Sequence, residues 1–236
     1  MLWTLLRGGF SSFYQVLFML AGYVILLCLM MPVHEAAHAW MAVRLGDNTP
    51  RFAGRLTLNP LAHLDPIGAL MIVLFGIGYA KPVPIDPRNF KNPRSGMALT
   101  ALAGPVANLL MAVLSVGVFR LILALSGGQF YIQGGYLYCS ASVLYYAYIV
   151  LIQVLAGTNL MLAVFNLLPL PPLDGSRIFG ALLPERWTYW MDRYHTYVRM
   201  AVLLLVVTGV LDRPLMFLER VIGNAICALF GLGGLF

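Results

Sequence analysis

Two long segments without a charged residue constrain this chain more than any other feature. Residues 97–119 and 141–165 each exceed the roughly 20 apolar residues that a helix needs to cross a bilayer. Charged residues make up only 10% of the chain, whereas a typical soluble domain carries about 25%. We therefore predict an integral membrane protein of the all-α polytopic class, with about four to six transmembrane helices.

Other apolar segments extend this arrangement along the chain. The sequence predicts a first long helix over about 13–45 and weaker C-terminal helices within residues 194–236. We expect a single intramembrane domain over residues 1–236, with a catalytic core at about 13–178. Lipid bilayer is therefore the environment in which the chain has to fold.

The segment after the first long helix is too short to cross the membrane. Residues 67–80 are apolar, but as a helix they span only about 21 Å, against a hydrocarbon core of about 30 Å. Residues 51–66 mix β-like pieces with turn residues. We expect a short membrane-associated β or re-entrant region here, in which residues 51–59 pair with an unwound substrate segment by strand addition.

The distribution of basic residues predicts the orientation in the cell membrane. The net charge is +6, but the basic residues lie between apolar spans, so we expect no nucleic-acid partner. Residues 81–96 and 170–195 contain several Lys and Arg residues, whereas residues 126–140 contain none. The positive-inside rule places the two basic segments in the cytoplasm. We expect a multi-pass protein with its functional residues toward that side.

The stretch PVHEAAHAW places ionisable residues at the edge of an apolar span. His34 and His38 are four residues apart and share one helix face, so two imidazoles can bind one metal ion. Glu35 lies about a third of a turn around the helix and can reach a water molecule without ligating the metal. This is the H-E-x-x-H pattern, in which zinc is the Lewis acid and glutamate the general base.

A catalytic zinc ion takes a third protein ligand, and the chain has only nine carboxylates. Asp65 and Asp174 both lie near proline in apolar surroundings. Asp174 follows a span that should return to the cytoplasmic side, and PPLDG presents it from a non-helical turn. We favour Asp174 over Asp65. His63 and Asp65 either contact a ligand or stabilise a turn, and the turn is favoured because Asn-Pro and Asp-Pro initiate turns.

Several motifs in a fixed order resemble those of the site-2 proteases, which are intramembrane zinc metalloproteases. They are HEAAH, NPLAHLDPIGAL, GYAKPVPIDPRNFKNPRSGM, ALAGPVANLL and FNLLPLPPLDGSRI. The resemblance implies zinc ligands at His34, His38 and Asp174, and a catalytic glutamate at Glu35. It also implies that Asn166 holds the substrate backbone or the developing oxyanion.

The resemblance also concerns Asn108, which falls on the small-residue helix motif of the family and is a candidate substrate or cleft residue, as are His63 and Asp65. Gly104 and Ala107 would permit close approach of helices there. The intervals between motifs leave no room for a PDZ domain, and we expect a compact form without a PDZ or CBS domain. Asp86 stands where the family pattern favours asparagine.

The resemblance implies hydrolysis of peptide bonds in or near transmembrane segments of membrane-anchored proteins. The alternative is a zinc-binding membrane scaffold or transporter without proteolytic activity. A transporter should carry ionisable residues along several spans, but residues 97–119 and 141–165 have none. A catalytically dead relative would lose the glutamate, and Glu35 is present. The protease is therefore the preferred hypothesis.

Overall fold

The computed structural model describes residues 21–236 except residues 23, 76–78, 128–129, 134–135 and 140–141. Helices dominate the described part, as the sequence predicts. They are α1 (Leu26–Arg44), α2 (Thr49–Phe52), α3 (Pro60–His63), α4 (Pro66–Phe75), α5 (Pro93–Ser126), α6 (Leu144–Asn166), α7 (Asp174–Leu182), α8 (Glu185–Arg193), α9 (His195–Val207) and α10 (Asp212–Leu229). The chain forms two compact units, the first ending at Gly104 and the second beginning at Pro105.

Three of the described helices are long and apolar enough to cross a membrane, namely α1, α5 and α6. A fourth candidate is the pair α9 and α10, whose axes bend by 78° at a short break. The all-α polytopic membrane class predicted from sequence is therefore confirmed. The described residues hold three candidate crossings, or four if the bent pair is one span, and four is the lower end of the predicted range.

Helix α1 is irregular near its proline. Its first segment, Leu26–Met30, is a π-helical turn, and Pro32 follows directly at the start of the α-helical part. Proline has no N–H to donate to the carbonyl one turn earlier, so the regular hydrogen-bond ladder is interrupted there. The helix ends at Arg44, one residue before the predicted end, while the predicted start near residue 13 lies outside the described residues.

The β structure predicted for residues 51–66 is wrong. This region instead contains the end of the one-turn helix α2 and the whole of the one-turn helix α3, joined by turns and irregular backbone without a strand. Each helix has proline at its first turn, where the missing N–H costs nothing, and the Asn59 side chain caps α3 by accepting from the Leu61 N–H. Gly54 follows α2 with a φ of +66°, which favours glycine. Capping and proline chemistry therefore override the β propensity of the side chains.

A buried carboxylate ties the polar loop after α4 to the end of α1. Asp47 is fully buried and accepts hydrogen bonds from the Thr49 N–H and hydroxyl, from the Asp86 N–H and from the Asn89 amide. Burial alone raises the pKa of the Asp47 carboxyl, but these hydrogen bonds outweigh it and hold the pKa below its usual value. The loop is thereby fixed against the His-bearing helix.

The chain segments before and after helix α4 lie side by side. The Lys81 N–H donates to the His63 carbonyl at 2.8 Å, although the two residues lie on either side of α4. Gly68 packs directly against the Tyr79 backbone, where any side chain would collide with the Tyr79 carbonyl. The Arg55 guanidinium joins the same two segments by donating hydrogen bonds to the carbonyls of Ala62 and Lys81. A membrane-associated segment whose two ends are hydrogen-bonded to each other fits a re-entrant element.

The second unit has a tightly packed apolar core. Helices α5, α6 and α10 contribute its buried side chains, among them Ala112, Val116, Phe119, Tyr148, Ile152, Ala156, Leu160, Ile226 and Cys227. The small residues let the helices approach closely, which is how helices associate in lipid. The middle of α6 is a π-helix over Tyr148–Ala156.

The opposite face of α5 is an apolar stripe that no described residue covers. Leu110, Leu114, Leu121 and Leu125 are 57–79% exposed and recur at intervals of four and seven residues. In water such a stripe would cost free energy in proportion to its area. In a bilayer it contacts lipid tails, so this exposure agrees with a membrane span.

The loop predicted to face outside, residues 126–140, contains a two-stranded antiparallel hairpin. Its strands are β1 (Phe130–Gln133) and β2 (Tyr136–Cys139), with Phe130 opposite Cys139. Propensity is consistent with this, because both strands are rich in aromatic and β-branched residues. The sequence-based interpretation assigned no strand here.

Helix α4 should enter and leave the membrane on one side. Single cysteines at Thr57 and Asn89, in a variant that lacks Cys28, Cys139 and Cys227, should react with a membrane-impermeant thiol reagent from the same side. The physical reason is the hydrogen bond between Lys81 and His63, which holds the two ends of the α4 segment together. Labelling of the two positions from opposite sides in right-side-out and inverted vesicles would show that α4 crosses the bilayer.

Candidate metal centre

The two motif histidines lie together on the buried face of α1. His34 and His38 are only 8% and 7% exposed, and their rings meet edge to face with centroids 4.6 Å apart. The Nε2 atoms lie 3.0 Å from each other. The helical spacing of four residues produces this meeting, since such residues sit one above the other on one face. The predicted pairing is therefore present in the structure.

A backbone carbonyl fixes the orientation of the second imidazole. His38 Nδ1 lies 2.7 Å from the carbonyl oxygen of Thr100 on α5. A carbonyl only accepts, so Nδ1 carries the proton and Nε2 keeps its lone pair. That lone pair points toward the Nε2 of His34. A hydrogen bond from the outer ring nitrogen to a carbonyl is the usual support of a metal-bound histidine.

Gly104 gives the two rings the space they occupy. A Cβ atom at this position would lie 2.5 Å from His38 Nε2 and 2.6 Å from His34 Cε1. Real Cβ contacts are essentially never that short, so alanine would force the imidazoles to move. Gly104 follows Thr100 by one helical turn, and both face the histidines. One face of helix α5 thus supplies both the carbonyl that accepts the His38 hydrogen bond and the space for the two imidazole rings.

The paired imidazoles fit a zinc ion. Two Zn–N bonds of about 2.0–2.1 Å at a tetrahedral angle place the nitrogens about 3.4 Å apart, and the observed 3.0 Å needs only a small adjustment. Nitrogen donors of this kind are those that zinc prefers. Glu35 follows His34 directly and is half-buried, in keeping with a base that must accept a proton.

In the second unit, a tight turn presents Asp174 as the first residue of α7. Gly175 packs against the carbonyls of Leu167 and Leu168, too closely for any side chain. The Ser176 hydroxyl donates to the Leu173 carbonyl at 2.7 Å and closes the turn. The half-buried Asp174 carboxylate is therefore held at a fixed point of the backbone. The proline-rich, non-helical turn predicted before it is present.

The two asparagines singled out from sequence differ in their surroundings. Asn166 ends α6, is half-buried, and donates through its amide to the Leu162 carbonyl at 3.0 Å. This bond uses one of its two amide protons. Asn108 lies within α5 and is fully buried. Both belong to the second unit, with Asp174.

His63 and Asp65 have structural contacts. His63 Nε2 lies 2.8 Å from the Thr57 carbonyl, and the residue is 1% exposed. Asp65 Oδ1 accepts from the N–H groups of Ile67 and Gly68, at 3.0 and 2.9 Å, and so caps α4. Of the two interpretations that the sequence allows for these residues, the contacts agree with the turn.

Asp86 also has a local partner. Its carboxylate accepts from the Arg88 backbone N–H and pairs with the Arg88 guanidinium at 2.8 Å. These interactions, the Arg88 side-chain hydrogen bonds above all, lower the pKa of the Asp86 carboxyl. The residue stabilises the turn of the polar loop.

Sequence reasoning missed Thr100 as a contributor to the site. Its role is carried by a backbone carbonyl, which every residue has, so the side chain gives no signal. The glycine four residues later was a usable signal, because glycine inside a helix is costly and marks a close approach. The sequence-based interpretation assigned that approach to helices in general and did not identify the imidazoles.

Comparison with known proteins identifies the family. The sequence model of peptidase family M50 matches residues 127–208. "Putative zinc metalloprotease YwhC" of Bacillus subtilis is 41% identical over 185 residues, which cover 78% of this chain and 80% of that protein. The chain belongs to peptidase family M50, the site-2 protease family.

More distant relatives agree with this assignment. "Putative zinc metalloprotease Rip2" of Mycolicibacterium smegmatis is 34% identical over 171 residues, covering 70% of this chain and 56% of that protein. The Mycobacterium tuberculosis protein of the same name is 31% identical over the same length. No solved structure matches the chain. The resemblance noted from the sequence motifs is confirmed by the family match and by these relatives.

Gly104→Ala should weaken zinc binding about 10- to 100-fold, the usual cost of disturbing the support of a metal ligand. The added methyl group displaces both imidazoles. Metal content and affinity are measured on the purified protein. Gly117→Ala, on the same helix, is the matched control, since its Cβ would meet only the Phe230 ring at 3.3 Å. Unchanged zinc affinity in the Gly104 variant would contradict the assigned role.

Proposed function

We propose that this M50 protein is an intramembrane zinc metalloendopeptidase. Its substrates are membrane-anchored proteins, which it cleaves in or near their transmembrane segments as a step of regulated intramembrane proteolysis. The observation that carries the proposal is the His34–His38 pair, buried beside Glu35 on an apolar spanning helix. Ionisable residues at membrane depth are expensive and mark function. Family membership supplies the reaction class.

The proposed metal ligands are His34, His38 and Asp174. Each offers one ligand atom, an imidazole nitrogen or a carboxylate oxygen, and zinc prefers donors of these kinds. Two imidazoles and one carboxylate are a ligand set of catalytic zinc sites that leave a position for water. Asp65 is the weaker candidate, because its Oδ1 is already engaged by two backbone N–H groups.

A zinc ion held by this set would supply Lewis acidity and lower the pKa of a water molecule. Glu35 is the residue that would accept a proton from the attacking water and return it to the leaving amine as the peptide bond breaks. Glu35 lies on the same helix as both histidines, within one and a half turns of α1. Asn166 has an amide proton beyond the one bound to Leu162, and it donates that proton to the substrate carbonyl as charge develops.

The proposed orientation places the site toward the cytoplasm in the cell membrane. The support is the basic character of residues 81–96 and 170–195, which flank the site residues in sequence. The Lys81–His63 hydrogen bond holds the two ends of the α4 segment together, and the polar loop that follows is bound to Asp47. We therefore place both ends of α4 on the same side of the membrane as Asp47. Strand addition by residues 51–59 does not enter the proposal, because that segment begins in helix α2.

Glu35→Gln should retain one zinc ion per chain and lose cleavage by at least about 100-fold, because only proton transfer is removed. Zinc content and cleavage of a transmembrane substrate are measured on the same purified sample. Glu219→Gln, a carboxylate change in α10, is the matched control and should keep its activity. Cleavage by Glu35→Gln at the parental rate would refute the general-base assignment.

Asp174→Ala should lose zinc, whereas Asp65→Ala should keep it. The second variant loses only a helix cap, worth about 0.5–2 kcal/mol of stability, so its melting temperature should fall while its metal content stays. Metal analysis and thermal unfolding of both variants decide between the two carboxylates. Normal zinc in Asp174→Ala together with loss in Asp65→Ala would reverse the assignment.

A further inference from the structure

Asn108 is a polar side chain buried without a partner in the middle of a spanning helix. Its exposure is 0%, and neither its Nδ2 nor its Oδ1 has a hydrogen-bond partner among the described residues. Ser115, on the same buried face, shows the usual alternative, since its hydroxyl donates to the Met111 carbonyl of its own helix at 2.8 Å. Asn108 makes no such bond.

An amide left in this way is costly. A buried polar group without its hydrogen bond bears the full cost of its lost hydration, and Asn108 carries both a donor and an acceptor. A leucine of similar volume would carry no such cost. The side chain is therefore poorly explained by packing, and its chemistry points to a partner that arrives from outside the chain.

The position of Asn108 on α5 indicates where that partner lies. Thr100, Gly104 and Asn108 follow one another at intervals of four residues and so form one stripe of the helix. Thr100 binds His38 through its carbonyl, and Gly104 touches both imidazoles. Asn108 is the next residue of that stripe, about 6 Å further along the helix axis.

We propose that Asn108 binds one peptide group of the substrate beside the bond that is cleaved. This inference rests on the proposed protease function and deepens it by adding a substrate-binding residue. A carboxamide offers one donor and one acceptor, which match the carbonyl and the N–H of a peptide group. The ligand is the backbone of a locally unwound transmembrane segment, so recognition at this point is independent of its side chains.

The membrane environment gives this contact its value. A transmembrane helix satisfies its own backbone groups, and unwinding leaves them without partners in a region that contains no water. Each such group is costly in hydrocarbon, because no water molecule is present to accept or donate its hydrogen bond. An unpaired carboxamide and an unpaired peptide group therefore satisfy each other. Asn108 lowers the cost of holding the substrate in the extended form that hydrolysis requires.

The test uses synthetic transmembrane peptides in which one peptide bond at a time, other than the cleaved bond, is replaced by an ester. An ester lacks the N–H and weakens the carbonyl as an acceptor. At one position near the cleaved bond, the ester should lower kcat/KM of the parental enzyme about tenfold, the worth of a typical hydrogen bond. Asn108→Leu should cut kcat/KM on the all-amide peptide by about the same factor, and the ester should then cost nothing further.

Ser115→Ala is the matched control, because it removes a buried hydroxyl of the same helix that hydrogen-bonds only within that helix. In this variant, each ester should lower kcat/KM by the same factor as it does in the parental enzyme. Zinc content is measured for each variant, and Asn108→Ser provides a second variant with a smaller polar side chain if Asn108→Leu is poorly folded. Two results would overturn the proposal and indicate a bound water or a packing role for Asn108. One is that every ester lowers kcat/KM of the Asn108 variants by the same factor as in the parental enzyme. The other is a parental kcat/KM in Asn108→Leu. Failure of the parental enzyme to cleave any peptide would instead refute the protease function itself.

Discussion

The hydrogen bond from His38 Nδ1 to the Thr100 carbonyl is the interaction on which the candidate metal centre depends. It joins the helix that carries the motif to the helix that supports it, over 62 residues of sequence. Because its acceptor is a carbonyl, it selects the tautomer whose Nε2 can bind a metal. In a buried, low-dielectric site such a bond is stronger than in water. The orientation of the imidazole is thus fixed before any ligand arrives.

The same stripe of α5 explains why the carbonyl is available at all. In a helix each carbonyl points toward the turn that follows, where the side chain four residues later normally covers it. Here that residue is Gly104, so the Thr100 carbonyl can accept from its own helix and from His38 together. The missing Cβ also admits both rings. Acceptor and space are therefore one feature of the sequence, and neither would serve without the other.

The sequence predicts those parts of the fold that depend on local pattern. Length and apolar character predict α5 and α6, and the spacing of His34 and His38 predicts the imidazole pair, since helical periodicity alone brings them together. It fails where backbone chemistry competes with propensity. Residues 51–66 look β-prone, but Pro50 and Pro60 pre-organise helical turns. The Thr100 carbonyl was beyond prediction, because backbone acceptors leave no mark in the side-chain pattern.

Buried polar groups in this chain separate into two kinds, and the separation indicates which of them act in chemistry. Asp47 accepts hydrogen bonds with both carboxylate oxygens, and Asp65 Oδ1 accepts from two backbone N–H groups, so both residues stabilise turns. His38 has one nitrogen engaged and the other directed at His34. The bond to a fixed carbonyl holds the His38 imidazole in one orientation. Its second nitrogen then faces the neighbouring imidazole, close to the spacing that two nitrogen ligands of one metal ion require.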